Sequence, residues 1–415
     1  MRILQVNKFH YSRGGADKYY LSLIKNLEQN GHQVAAFSMY HPKNIASPYA
    51  KYFVSRLSFN EGGLLDILKT PGRMIYSLEA KRKFKRLIID FKPDIIHIHN
   101  IYHQISPSIL HIAAKYKIPV VMHLHDYKLI CPNYQLFANG KICEACLSHN
   151  YFRCFTKKCF KGSRLKSALV ALEMYIHHSL LKIYEKNINT FIAPSNFMKQ
   201  KLIAAGWPGN KIKIVINPFD AEMSIAKGEE VKQEEDYLLY FGRLGEEKGL
   251  KILISAAALT KSHLKFVGIG PMEDKLKKLA EELKVKADFL GFKNGPELKY
   301  IILRSKAIII PSIWFENMSL SLLEALNLKK VVIASRIGGI PEIIKHGQNG
   351  FLFEPGDVND LAEKINFLNK TDLAPIKQQA KESVKNLSAE KNLKQIEIIY
   401  QEILNDFLPT LKKLS

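Results

Sequence analysis

Short β-rich apolar runs alternate with amphipathic helical stretches from one end of this chain to the other. In the first half the runs are RILQV, QVAAFSM, DIIHIH, PVVMHLH and TFIAPS; in the second they are YLLYFG, LKFVG, ADFLG, AIIIPS, VVIAS and GFLF. Helical periodicity fills the gaps, over Asp17 to Asn30, Met74 to Asp90, Gly249 to Leu259 and Met272 to Leu283. Alternation of this kind predicts parallel strands covered by helices on both faces. At 415 residues the chain exceeds one ordinary core and suits two such sheets. The expected fold class is α/β, with two Rossmann-like doubly wound parallel-sheet domains. Pro218 interrupts the pattern in VINPFDAEM, which divides the chain into 1–217 and 218–388, with a last helix in 389–415 that would cross back onto the first domain.

Charge divides at the same place. Residues 1–220 hold 32 Lys and Arg against 12 Asp and Glu, a net +20, whereas the rest holds 29 against 27, a net +2. A basic half of this kind fits a polyanionic partner, whether nucleic acid, an anionic membrane surface or a phosphorylated substrate, and is equally compatible with a merely soluble Lys-rich surface. The opening MRILQVNKF reads as a first strand and not as a signal peptide, and no run of 18 uncharged apolar residues occurs. The expectation is a cytoplasmic protein, peripheral to the inner face of the membrane if it touches one.

In open α/β sheets ligands bind beyond the carboxyl ends of the strands, so those loops carry the chemistry. PSIWFENMSLSLLEALNLKKVVIAS sets two carboxylates, Glu316 and Glu324, eight positions apart in an apolar stretch. An unpaired buried carboxylate costs several kcal/mol, so each needs a partner, from the protein or from a ligand. Eight helical residues span about 12 Å, enough to hold both ends of a long polar ligand, with the N–H groups of Met318, Ser319 and Leu320 facing an anion between them. YFGRLGEEKGL follows a strand and brings Arg243 and Lys248 to its carboxyl end, where they can neutralise a diphosphate. FVGIGPMED supplies Gly268 and Gly270, and FHYSRGGADK supplies Gly14 and Gly15, for close backbone approach.

With these motifs the chain resembles glycosyltransferase family 4, of the two-domain GT-B fold, over nearly its whole length, including GGIPEIIKHGQNGFLFEPGDVNDLAEKI. The resemblance implies a cleft between the domains and a retaining transferase that uses a nucleotide-diphosphate sugar, with uridine first and guanosine next, and needs no catalytic metal. By position it implies that Arg243 and Lys248 bind the donor diphosphate, Glu324 the ribose hydroxyls and Glu316 the transferred sugar, whose hydroxyls would satisfy the two carboxylates. It further implies that Gly14 and Gly15 lie near the donor phosphate and that His125 of HLHDY hydrogen-bonds the sugar. The acceptor would be a saccharide or a lipid-diphosphate-linked saccharide, in assembly of bacterial capsule, O-antigen or exopolysaccharide. Nucleic acid is not an expected partner. The rival readings are a basic nucleic-acid-binding protein with a zinc knuckle and another GT-B enzyme such as a sugar-nucleotide epimerase.

Two clusters remain. His97 with His99 and His123 with His125 each face one side near a strand end. They permit a four-histidine metal site, or more simply His125 lining the cleft while the others pack and bond locally. The basic, aromatic-rich insertion over about 128–166 contains all five cysteines, and Cys143, Cys146, Cys154 and Cys159 follow C-x2-C-x7-C-x4-C. In a reducing compartment that spacing suits a structural zinc, free thiols, or an iron–sulfur or redox site. Eight Lys and Arg against Glu144 alone, from Lys128 to Lys166, suit an anionic membrane surface.

Overall fold

The computed structural model describes residues 1–56, 71–220, 223 and 234–412, with the side chains of 408–412 left out. Ala221 and Glu222, in the expected boundary stretch, lie outside the described residues.

The strands of the first half are β1 (Arg2–Val6), β2 (Gln33–Phe37), β3 (Ile95–Ile98), β4 (Val120–His123), the short hairpin β5 (Phe137–Ala138) and β6 (Lys141–Ile142), β7 (Thr190–Ala193) and β8 (Ile212–Ile214). The second half adds β9 (Leu238–Phe241), β10 (Leu264–Val267), β11 (Ala287–Phe289), β12 (Ala307–Ile310), β13 (Val332–Ser335) and β14 (Phe351–Phe353). One six-stranded sheet has the order β2-β1-β3-β4-β7-β8 and the other β11-β10-β9-β12-β13-β14. All ladders in both are parallel.

Strands buried on both faces explain the continuous apolar runs. Ile3 and Leu4 are adjacent yet enter different cores, one on each face of the first sheet. Leu238 and Leu239 divide the same way in the second. Helix Ala389–Lys412 sends Leu393, Ile396, Tyr400 and Ile403 into the core beside Ile3, so it packs on the first sheet although it follows the second in sequence. The helix expected from Met74 begins at Leu78, where the Ser77 side chain accepts a hydrogen bond from the Ala80 N–H. Strand β8 has two exposed residues of three, which is why its apolar signal is weak.

Strand order reverses between β9 and β12, and again between β1 and β3, so each sheet has a crevice at the carboxyl ends of those strands. The two crevices meet. A Cβ on Gly15, just after β1, would stand 3.0 Å from Leu320 Cδ1, just after β12.

Candidate active site

The loop after β9 carries Arg243 and Lys248, and the loop after β12 carries Glu316, so the switch point of the second sheet gathers all three. Lys248 Nζ donates to Glu316 Oε1 at 2.7 Å, as does Ser312 Oγ at 2.6 Å, and Lys248 lies 4.9 Å from the centre of the Trp314 ring. Burial pushes the Glu316 carboxyl up, but the Lys248 charge and the two hydrogen bonds outweigh it, so its pKa lies below the ordinary value. Arg243 Nη2 pairs with Glu247 Oε1 at 2.6 Å while its side chain stays 53% exposed, leaving donors free to face a ligand.

Glu324 lies on helix Leu320–Asn327, whose N-cap Ser319 accepts from the Leu322 N–H. Its partner is Lys18, 3.4 Å away on helix Gly15–Gln29, and Lys18 also reaches Asp220 at 2.7 Å. Burial is the largest influence on Glu324 and raises its pKa; Lys18 offsets this only in part, and Asp220 adds to it. Within the chain, Lys248 and Ser312 partner Glu316, and Lys18 partners Glu324. Lys18 stands in FHYSRGGADK, one helical turn after Gly14, but nothing in the sequence marks it as the residue that crosses the cleft.

His125 meets Asn317 from the other side: Asn317 Nδ2 donates to the His125 carbonyl at 2.9 Å. The four histidines form a stack, with His97–His99 ring centroids 4.6 Å apart and His123–His125 4.7 Å apart. Burial holds His99 and His125 well below their ordinary pKa, so both are neutral. Gln5 Nε2 donates to Tyr400 Oη, which leaves Gln5 Oε1 to accept from His99 Nε2 at 2.9 Å. His99 Nδ1 is then bare and accepts from His125 Nε2, also at 2.9 Å. The relay fixes the His125 tautomer with its Nδ1 lone pair available for a hydroxyl donor.

Beside His125, Tyr102 donates to Asp126, and Lys8 lies 4.0 Å from the Tyr102 ring centre. Burial raises Asp126 to about 6 and lowers Lys8 to about 8. Sequence reading passed over Lys8 and Tyr102, which are ordinary residues in ordinary loops until the fold brings them together.

The glycines serve different ends. A Cβ on Gly268 would lie 1.9 Å from the Gly242 carbonyl oxygen, and one on Gly270 2.4 Å from the Leu244 oxygen, so both let the loops after β9 and β10 touch. Gly14 is exposed, has nothing within 4 Å of its would-be Cβ, and stands at the N-cap of its helix. Met318 is buried and Ser319 and Leu320 are half-buried beside it.

All five cysteines are free thiols, and all five line one cavity of about 10 Å³. Among the described residues no group of three or more His, Cys, Asp or Glu side chains is arranged to hold a metal ion. No described helix is long and apolar enough to cross a membrane.

Two parallel sheets meeting at their carboxyl ends, with fixed cations and carboxylates at the switch point, are the architecture of a GT-B transferase. The family profile described as "Glycosyltransferase Family 4" matches residues 13–223, and "Glycosyl transferases group 1" matches 223–396. The chain belongs to glycosyltransferase family 4 and is a glycosyltransferase. An uncharacterized 42.6 kDa protein in the cps region of Klebsiella pneumoniae is 27% identical over 377 residues, covering 87% of this chain and 91% of that one. The amylovoran biosynthesis glycosyltransferase AmsK of Erwinia amylovora is 28% identical over 211 residues, covering 47% of this chain and 52% of its own. Among solved structures, Anabaena Alr3699/HepE in complex with UDP and glucose shares the fold, with a TM-score of 0.67 and 19% identity over 97% of this chain and 100% of that one.

Proposed function

We propose that the protein is a retaining transferase that moves a hexose-type sugar from a nucleotide-diphosphate donor, UDP first and GDP next, to a saccharide or lipid-diphosphate-linked acceptor. The observation that carries this reading is the pairing of Lys248 with Glu316 at the switch point, beside an exposed Arg243 and opposite Gly14 and Gly15. A diphosphate set between Arg243 and Lys248 meets two fixed cations, which stabilise the charge that develops as the sugar leaves. Lys248 is already oriented by Glu316, and Glu324 stands at the far end of the cleft to accept from ribose hydroxyls once Lys18 turns away. Retention follows from front-face attack, in which the departing phosphate oxygen takes the acceptor's proton and the protein supplies position and charge. His125 Nδ1 accepts from a hydroxyl of the sugar.

Uridine is placed first because a protein of the same fold holds UDP. A role in surface polysaccharide assembly draws on the relatives named for a cps region and for amylovoran biosynthesis. An acceptor presented at an anionic membrane fits the outer face of the insertion and of the helix after it, where Phe152, Leu165, Leu172, Tyr175 and Leu180 are exposed among basic residues such as Arg153, Lys158 and Arg164.

Calorimetry with UDP, GDP and ADP tests the donor site. One nucleotide is expected to bind, with Arg243→Ala weakening it by about 1.5–3 kcal/mol, the worth of charged hydrogen bonds. Absence of nucleotide binding alongside salt-dependent RNA binding would return the basic first half to the nucleic-acid reading.

A further inference from the structure

The insertion that holds the cysteines has little regular structure, and packs a small apolar core of Cys146, Tyr151 and Cys154 against Met74, Val170, Ala171 and Met174. Between Cys131 and Gly162 it contains two strands of two residues and one five-residue helix, Phe152–Thr156. Tyr134, Leu136, Asn139, His149, Lys158 and Lys161 all take positive φ there, a conformation unfavourable to side-chain-bearing residues. Short segments of this kind hold their shape by a covalent or metal staple. No disulfide is present, and the five thiols converge from four separate stretches of the segment on the same small cavity.

Cys131 is distinguished from the others. Its S–H donates to Asn133 Oδ1 at 2.9 Å, which engages it as a thiol. Cys146 and Cys154 are buried, and Cys159 interacts directly with the thiols of both Cys143 and Cys154. A zinc ion with four Zn–S bonds of about 2.3 Å sets its sulfurs about 3.8 Å apart, the separation of thiols in ordinary contact. A cavity of about 10 Å³ has room for one such ion.

We propose that Cys143, Cys146, Cys154 and Cys159 bind one structural zinc ion as thiolates, with Cys131 outside the ligand set. The ion replaces the four thiol protons, which pass to solvent, and draws in side chains that already surround the cavity. It would fix the hairpin Phe137–Ile142 at the edge of the cleft, where a Cβ on Gly140 would lie 3.4 Å from Glu246 Oε1 in the loop that carries Arg243 and Lys248. The ion would shape the cleft's edge whichever sugar the enzyme moves.

The test is the metal content of the full chain, purified under reducing conditions from zinc-supplemented growth, together with its cobalt-substituted spectrum. The expected result is one zinc per chain, an intense tetrahedral tetrathiolate cobalt spectrum, and at least tenfold loss of zinc affinity in Cys146→Ser and Cys154→Ser. Cys131→Ser should keep the metal, which separates ligation from general damage to the insertion, and circular dichroism shows whether each variant folds. A wild-type chain that takes up neither zinc nor cobalt, one that carries iron with sulfide, or a folded Cys146→Ser that retains full affinity would overturn the proposal.

Discussion

Glu316 and Glu324 look alike in the sequence, and their surroundings give them opposite effects on stability. Glu316 has its pKa lowered, so it contributes stability above the ordinary value of 4.5 that is lost as pH falls through its folded value. Glu324 has its pKa raised, chiefly by burial, so the stability linked to its proton is present below 4.5 and is lost as pH rises through its folded value. Near neutral pH, Glu316→Gln is therefore expected to lower stability by about 2–3 kcal/mol, because it leaves Lys248 without its charge partner. Glu324→Gln should raise stability near neutral pH while weakening nucleotide binding. Thermal melts of both variants from pH 5 to pH 8 check the signs; a destabilised Glu324→Gln would mean that Lys18 compensates its charge fully. The need for partners was legible in the apolar context of both residues. That the partners are Lys248 and Lys18 was not, since Lys18 is 306 positions from Glu324.

At the scale of elements, the glycines that look equivalent in strand-end turns separate by what surrounds them. Gly268 has φ +137°, and its would-be Cβ runs into backbone, so Gly268→Ala must displace the loop after β9. The backbone conformation alone costs about 1–3 kcal/mol, and the clash adds to it. Gly14 has an extended backbone, φ −163°, and open space around it. Gly14→Ala should cost at most about 1 kcal/mol, the difference between glycine and alanine at an N-cap, and any larger effect should fall on ligand binding. Urea denaturation of the two variants separates them; equal losses of stability would contradict the assignment. Strands were the most legible elements because burial on both faces leaves continuous apolar runs. The start of helix Leu78–Phe91 was less so, because Ser77 ends the apolar periodicity only through its side-chain cap.

For the whole molecule, charge and exposed apolar surface meet on the first domain. The helix that carries Leu165 and Leu172 continues through Tyr175 to Leu180, and its buried side is anchored by Glu173, whose Oε2 accepts from Lys128 Nζ at 2.8 Å. We expect the protein to sediment with anionic vesicles and not with zwitterionic ones, to be released by salt, and to lose most of this binding in Leu165→Ser/Tyr175→Ser. Binding unaffected by that double change would move the contact elsewhere, and no binding to anionic vesicles would remove the membrane from the account. The class of fold was legible along the chain, because strand and helix periodicities and apolar burial are local properties that survive without knowledge of contacts. The loops that carry Arg243, Lys248 and Glu316 and the helix that carries Glu324 also stood out, since charged residues in apolar strand-end settings are conspicuous along the chain. Which charges pair, which tautomer His125 holds and which glycines serve packing emerge only in the folded molecule. Those depend on atoms far apart in sequence, because close ion pairs, hydrogen bonds and packing contacts form only where the fold brings the groups together.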